Sequence, residues 1–193
     1  MPERQIVAMG GYPDDALLGY VADLARGRRL LLVPTASRED PASTLNWYER
    51  AKGHAETTHL HFFPWPPPDL RRLTLEHDVI LVAGGNTANA LAIWRTHGFD
   101  QILRDAWEQG VLLTGWSAGM ICWFEEAVTD SFGPELRRSS VSAFSQAARV
   151  RTMTAKSCGV RRTPGSYGRG FRRGSLPTTT SPCTTSEPTC ARS

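Results

Sequence analysis

Three short, largely apolar runs decide most of what this chain can fold into: Arg29–Val33, Val79–Ala83 and Val111–Thr114. Each is too short for a buried helix and lacks polar alternation, the pattern of a strand covered on both faces of a parallel sheet. Each also runs into turn residues. These are Pro34-Thr35-Ala36-Ser37, Gly84-Gly85-Asn86-Thr87 and Gly115-Trp116-Ser117-Ala118-Gly119. Further strands are expected at Gln5–Met9 and at Thr58–Phe63, the latter just before the rigid Pro64-Trp65-Pro66-Pro67-Pro68. Between the strands the spacing predicts helices. One is capped by Asp14 or Asp15 and runs to about Ala25, with Leu17, Leu18, Val21 and Leu24 on one face; others cover 41–53, 88–97 and 100–109. The expected fold class is therefore α/β, a doubly wound parallel sheet of about five strands in the flavodoxin-like manner. In such sheets ligands bind beyond the carboxyl ends of the strands. The two glycine-rich turns, around residues 84–87 and 115–119, can then share one site.

The turn at 115–119 has the G-x-S-x-G spacing of a nucleophile elbow, between an apolar run and Met120-Ile121-Cys122-Trp123-Phe124, which reads as a helix. Glycines on both sides allow a sharp turn that leaves the Ser117 hydroxyl exposed. The amides and dipole of the following helix would point at the same spot, where a negative oxygen would be stabilised. A plain strand–helix turn that happens to carry a serine is the competing reading, and the position in a strand–turn–helix favours the elbow.

Composition divides the chain. Residues 1–134 carry 11 Lys and Arg against 17 Asp and Glu, a net of −6, whereas 135–193 carry 11 against 2, a net of +9. The second part holds ten Arg, ten Ser and nine Thr, with only seven Leu, Val or Phe, too few to offset chain entropy by burial. We therefore expect an α/β domain over 1–134 and a basic, low-complexity, disordered tail over 135–193. The four cysteines, Cys122, Cys158, Cys183 and Cys190, have no C-x-x-C spacing, so no metal site, no disulfide framework and no cofactor are expected. No stretch approaches the ~20 apolar residues that span a bilayer, and the N-terminus lacks a signal-peptide apolar region. A cytoplasmic protein with no membrane partner is expected. The basic tail is not of the Lys-rich kind that contacts nucleic acid, so no specific nucleic-acid partner is expected either.

Set side by side, Gly84-Gly85-Asn86-Thr87 and Gly115-Trp116-Ser117-Ala118-Gly119 resemble the paired motifs of the dipeptidase E and cyanophycinase family of serine peptidases. The resemblance covers roughly residues 5–134. It implies a class I glutamine-amidotransferase-like fold and a small peptide as substrate, an N-terminal aspartyl dipeptide in the case of dipeptidase E. It also implies a nucleophilic serine with a later histidine and acidic residue. Ser117 is then the nucleophile, the amides of Gly85 and Ala118 form the oxyanion hole, and Asn86 lies beside the substrate. Val128-Thr129-Asp130 resembles the stretch carrying the acidic residue, which makes Asp130 the candidate orienting acid.

The chain departs from that pattern at the histidine. His54, His59, His61, His77 and His97 all precede Ser117, and a serine hydroxyl is a weak nucleophile without a base to take its proton. Reading permitted codons of Val150-Arg151-Thr152-Met153 one base out of phase yields Pro-His-Tyr. The same shift over 144–157 can yield Leu-Pro-Gly-Ser-Ala-Cys-Pro-His-Tyr-Asp-Gly-Glu-Glu-Leu, which resembles the family segment around its catalytic histidine. We therefore expect residues after about Pro134 to be a frameshifted reading of a peptidase gene, with a genuine basic tail as the competing origin. For function, the leading expectation is a serine peptidase or dipeptidase impaired by the missing base. The alternatives are a non-catalytic α/β module that holds a small ligand and, less favoured, an α/β-hydrolase-type esterase, which would also need a later histidine.

Overall fold

The computed structural model describes residues 3–140 and 150–153, all within the first of the two units into which the chain divides, Met1–Cys158. In chain order the elements are β1 (Ile6–Met9), α1 (Asp15–Leu24), β2 (Arg29–Val33), a 3₁₀ turn (Thr35–Ser37), α2 (Pro41–Ala51), β3 (Glu56–His59), α3 (Leu70–Leu75), β4 (Val79–Val82), α4 (Thr87–Thr96), α5 (Phe99–Glu108), β5 (Leu112–Trp116), α6 (Ala118–Ile121), β6 (Glu126–Thr129), β7 (Arg137–Ser140) and β8 (Val150–Met153). The main sheet has the order β3-β2-β4-β5-β1-β8, and every pairing in it is parallel. The doubly wound α/β architecture expected from the sequence is present.

Strand periodicity explains the two cores. Ile6, Leu31, Val33, Ile80, Val82 and Leu113 face one side, where they pack with Leu91, Trp94, Phe99, Leu103 and Trp107 of α4 and α5. Their neighbours Val7, Met9, Leu30, Leu32, Val79, Leu81 and Leu112 face the other side and meet Leu17, Leu18 and Val21 of α1 and Trp47 and Ala51 of α2. A strand buried on both faces must be apolar at every position, and the apolar runs of β2, β4 and β5 follow from that. The helices start where side chains cap them. Asp14 accepts from the Leu17 amide (2.9 Å), Asp40 from Ser43 (2.8 Å), Asp69 from Arg72 (2.9 Å) and Asn86 from Asn89 (2.9 Å).

Several expectations need correction. The third strand is Glu56–His59, not 58–63. The Leu60 amide still reaches the Leu32 carbonyl (2.9 Å), but the amides of Phe62 (2.7 Å) and Phe63 (3.2 Å) donate to the Glu39 carboxylate, which ends the ladder. Helix α3, between the proline run and β4, was not expected. Helix α6 is a single turn of four residues instead of a helix running to Phe124, because Cys122 and Trp123 already drop into the core against α4 and α5. The serine therefore meets the amides of one turn, and no long helix dipole points at it.

Beyond residue 134 the structure describes two strands where the sequence shows no periodicity. Strand β7 pairs antiparallel with β6, Val128 opposite Arg138, and β8 lies parallel to β1, Ala8 opposite Thr152. The rest of the 135–193 segment, and with it most of the expected tail, lies outside the described residues.

Candidate active site

Strand β5 lies between β4 and β1, and its carboxyl end delivers Trp116 and Ser117 to the rim of the sheet. The Ser117 amide donates to the Met9 carbonyl (3.3 Å), and its backbone sits at φ 54, ψ −117. A positive φ in a non-glycine residue costs on the order of 1–3 kcal/mol and persists only where the surroundings enforce it. Here both flanking glycines are enforced by backbone contact. A Cβ on Gly115 would lie 2.4 Å from the Gly119 carbonyl oxygen, and one on Gly119 would lie 2.1 Å from the Val82 carbonyl oxygen. The elbow is thus pressed onto β4, and the serine side chain is left exposed above the sheet. The other non-glycine residues with positive φ among those described, Arg38 and Glu39, follow the 3₁₀ turn beyond β2, at the same end of the sheet.

The glycine turn after β4 closes onto the same place. A Cβ on Gly84 would stand 2.7 Å from Trp116 Nε1 and 3.2 Å from Ser117 Cβ, so the two turns are in contact. Gly85 has φ 142, and a Cβ there would meet the Ala36 carbonyl oxygen at 2.0 Å. The next amide, Asn86, donates to that oxygen (2.8 Å) and holds the turn in place. The amides of Gly85 and Ala118 make no hydrogen bond among the described residues.

Asn86 has its side chain committed. Its Oδ1 caps α4, and its Nδ2 donates to the Ser131 carbonyl (2.9 Å). Ser131 Oγ in turn accepts from the amides of Thr87 (3.1 Å) and Ala88 (3.3 Å). The turn after β6 is therefore latched to the start of α4. Asp130 belongs to that turn; its carbonyl accepts from Gly133 (3.1 Å) and its side chain is in solvent.

Every histidine has its contacts elsewhere. His54 pairs with Asp15 (2.7 Å), and His59 Nδ1 is hydrogen-bonded to Tyr48 Oη (2.7 Å). The His61 ring lies 4.4 Å from that of His59, and His97 packs 5.3 Å from Phe62. His77 bonds to Thr58 and, through Nδ1, to the Leu73 carbonyl (2.7 Å). Burial first, and then the neighbouring His61, holds His59 below its ordinary pKa, with Glu39 opposing. Strand β3 is three strand spacings from β5, about 14 Å at ~4.8 Å each, so His59 cannot reach Ser117. Among the described residues no group of three or more His, Cys, Asp or Glu could hold a metal ion, and no helix is long and apolar enough to cross a membrane.

Beside the elbow opens a cleft of about 220 Å³ that the sequence did not disclose. Its aromatic wall comes from three separate segments. Trp47 and Trp116 stack at 4.9 Å, and Tyr12 meets both edge-on at 6.2 and 5.2 Å. Only the position of Trp116, inside the elbow motif, could have signalled any of this.

Comparison with known proteins adds to the geometry. The model of peptidase family S51 matches residues 9–146. The uncharacterized peptidase YgaJ of Bacillus subtilis (strain 168) is 42% identical over 140 residues, which cover 68% of this chain and 61% of that protein. The chain thus spans about three-fifths of that relative's length. A crystal structure of a protein assigned as a peptidase E, from Listeria monocytogenes EGD-e, superposes with a TM-score of 0.55 at 18% identity, over 66% of each chain. That likeness is one of fold.

Proposed function

The chain belongs to peptidase family S51, and on that premise we propose that it carries the acylation half of a serine-type peptidase site for short peptides. Ser117 is the nucleophile, and the amides of Gly85 and Ala118 receive the oxyanion that appears in the tetrahedral state. The observation that carries this reading is the backbone of Ser117. A serine held at positive φ between two glycines that admit no Cβ, followed by the Ala118 amide, which has no hydrogen-bond partner among the described residues, is a turn built to present its hydroxyl. The neighbouring turn through Asp130 is latched by Asn86 and Ser131. Asn86 acts there by positioning this turn and not by touching substrate, and Asp130 is the acid available to orient a base.

The base itself is the missing part. With no histidine near Ser117 among the described residues, the polypeptide as written would lose both proton removal and protonation of the leaving amine. The register of β8 supports a shifted reading frame as the reason. Arg151 and Thr152 lie opposite Val7 and Ala8, so a histidine read out of phase from their codons would stand two strands from β5, about 10 Å at ~4.8 Å per spacing, and at the serine's end of the sheet. The same missing base is what favours the second reading, an α/β module that holds a small ligand without cleaving it.

The test compares the chain as written with one whose frame is restored from about Pro134, on a panel of dipeptides and with a fluorophosphonate label. We expect hydrolysis and Ser117 labelling from the restored chain, loss of both in its Ser117→Ala variant, and turnover from the chain as written lower by about three orders of magnitude or more. Equal turnover by both chains would refute the role of the frame. A restored chain that neither cleaves nor labels would refute the nucleophile.

A further inference from the structure

The cleft beside the elbow is placed where one residue of a peptide flanking the scissile bond must lie. Two of its walls, Trp116 and Gly84, adjoin Ser117 directly, the first in sequence and the second by contact. We propose that it is a specificity subsite for one large uncharged side chain, aromatic or branched aliphatic, so that the preferred peptides carry such a residue next to the bond that Ser117 attacks. The proposal rests on the reading of Ser117 as nucleophile and adds the substrate class to it.

Three observations carry the assignment. The first is the wall itself, in which the stacked pair Trp47 and Trp116 and the edge-on Tyr12 offer flat apolar faces to an entering side chain. The second is the absence of charge, since no residue lining the cleft is Asp, Glu, Lys, Arg or His. Its serine and threonine hydroxyls are already spent inside the protein, while the Tyr12 hydroxyl accepts from Asn46 Nδ2 (3.4 Å). Ser37 donates to the Pro34 carbonyl (2.8 Å), Ser43 to the Asp40 carboxylate (2.6 Å) and Thr44 to the Asp40 carbonyl (3.0 Å). Arg50, a nearby cation, sits over the outer part of the aromatic cluster, 4.8 Å from the Tyr12 ring, and donates to the Pro13 carbonyl. An aspartyl carboxylate entering here would give up its water and meet no lining cation, only the neutral Tyr12 hydroxyl and Asn46 amide. The third observation is size. A cleft of about 220 Å³ has room for one large apolar side chain.

Binding tests this without needing turnover. The full chain is titrated with phenylalaninamide, leucinamide and the α-amide of aspartic acid, with tryptophan emission as the readout because Trp47 and Trp116 form the wall. We expect saturable binding of the first two, on the order of tenfold tighter than the aspartyl amide. Ser117→Ala should keep that preference. Tyr12→Ala should weaken the apolar amides, and since Tyr12 is 46% exposed the fold should survive. Asn46→Lys, which brings a cation to the lip, should narrow the preference or reverse it. Equal or tighter binding of the aspartyl amide, no saturable binding of any probe, or a preference that neither variant alters would each overturn the proposal. A preference that persists while the frame-restored chain fails to label at Ser117 would instead sink the peptidase reading and leave the subsite standing.

Discussion

Replacing Gly119 by alanine asks whether the elbow really rests on β4. The added Cβ would lie 2.1 Å from the Val82 carbonyl oxygen, 2.6 Å from its carbon and 2.9 Å from Val82 Cγ1. To recover even a 3.0 Å approach the two backbones would have to part by about 0.9 Å. Neither can do so freely, because β4 is paired on both sides, to β2 and β5, and α6 is anchored through Cys122 and Trp123. Alanine is favoured over glycine in a helix by about 1 kcal/mol, which offsets part of the cost. Overpacking against backbone, with no rotamer to turn away, lies at or above the upper end of the ~1–3 kcal/mol range. A net loss of about 2–4 kcal/mol follows. With an m-value of about 2 kcal/mol/M the urea midpoint should fall by about 1–2 M. Gly11→Ala is the control: nothing lies within 4 Å of its added Cβ, and its midpoint should hold or rise slightly. Unfolding is followed by far-UV circular dichroism. A Gly119→Ala protein that unfolds with the native midpoint would refute the close approach, and with it the account of why this turn takes glycine.

Ser117→Gly should raise stability by about 1 kcal/mol, because glycine takes the positive φ without strain, while Ser117→Ala should not; thermal melts of the pair check this. Glu39→Ala should cost about 1–3 kcal/mol, since it orphans the amides of Phe62 and Phe63. Glu39→Gln, which keeps an acceptor, should cost less by the same melts. Asn86→Ala should cost about 1–2 kcal/mol through the lost cap of α4 and should raise hydrogen exchange at Thr87 and Ala88 as Ser131 comes loose. Burial holds His77 below its ordinary pKa. Its contribution is therefore fully present above about pH 6.5 and is lost as the pH falls through the lowered native value, because the unfolded chain takes up the proton first. Urea midpoints measured from pH 8 down to 5 should decline, and His77→Gln should flatten the decline.

How far the fold could be read in advance depended on whether burial and hydrogen bonding agreed. In β2, β4 and β5 they do: the residues buried on both faces are the residues that pair, and a continuous apolar run marks both. They part company after His59. Leu60 and Phe62 are buried and so extend the alternation, yet the amides of Phe62 and Phe63 have left the sheet for Glu39, a partner more than twenty residues upstream that no local pattern announces. Helix α3 is six residues long and follows a proline run, so it offers too few turns to show a period. At the proposed site, the sharp turns at Gly85 and Ser117 were legible from short motifs, and the contacts that leave no room for a Cβ at Gly84, Gly115 and Gly119 explain the glycines of those motifs. Asn86 was legible as a position but not as a cap and tether, since Ser131 comes from forty-five residues further on. The aromatic cleft was hidden for the same reason: Tyr12, Trp47 and Trp116 meet only once four crossovers are complete.

The sheet order also sets a schedule. Strand β1 leaves the ribosome before the other described strands, yet its described neighbours are β5 and β8, and Met9 pairs with Trp116 across 107 residues. Strands β2, β3 and β4 can zip together as they emerge, whereas β1 must wait for β5. At ~5–20 residues per second of synthesis the wait is about 5–20 s. Throughout it, Ile6, Val7, Ala8 and Met9 present an unpaired apolar edge, the kind of surface that recruits other chains. Slowing translation between codons 12 and 112 should therefore lower soluble yield, and a chaperone that binds short apolar segments should recover it.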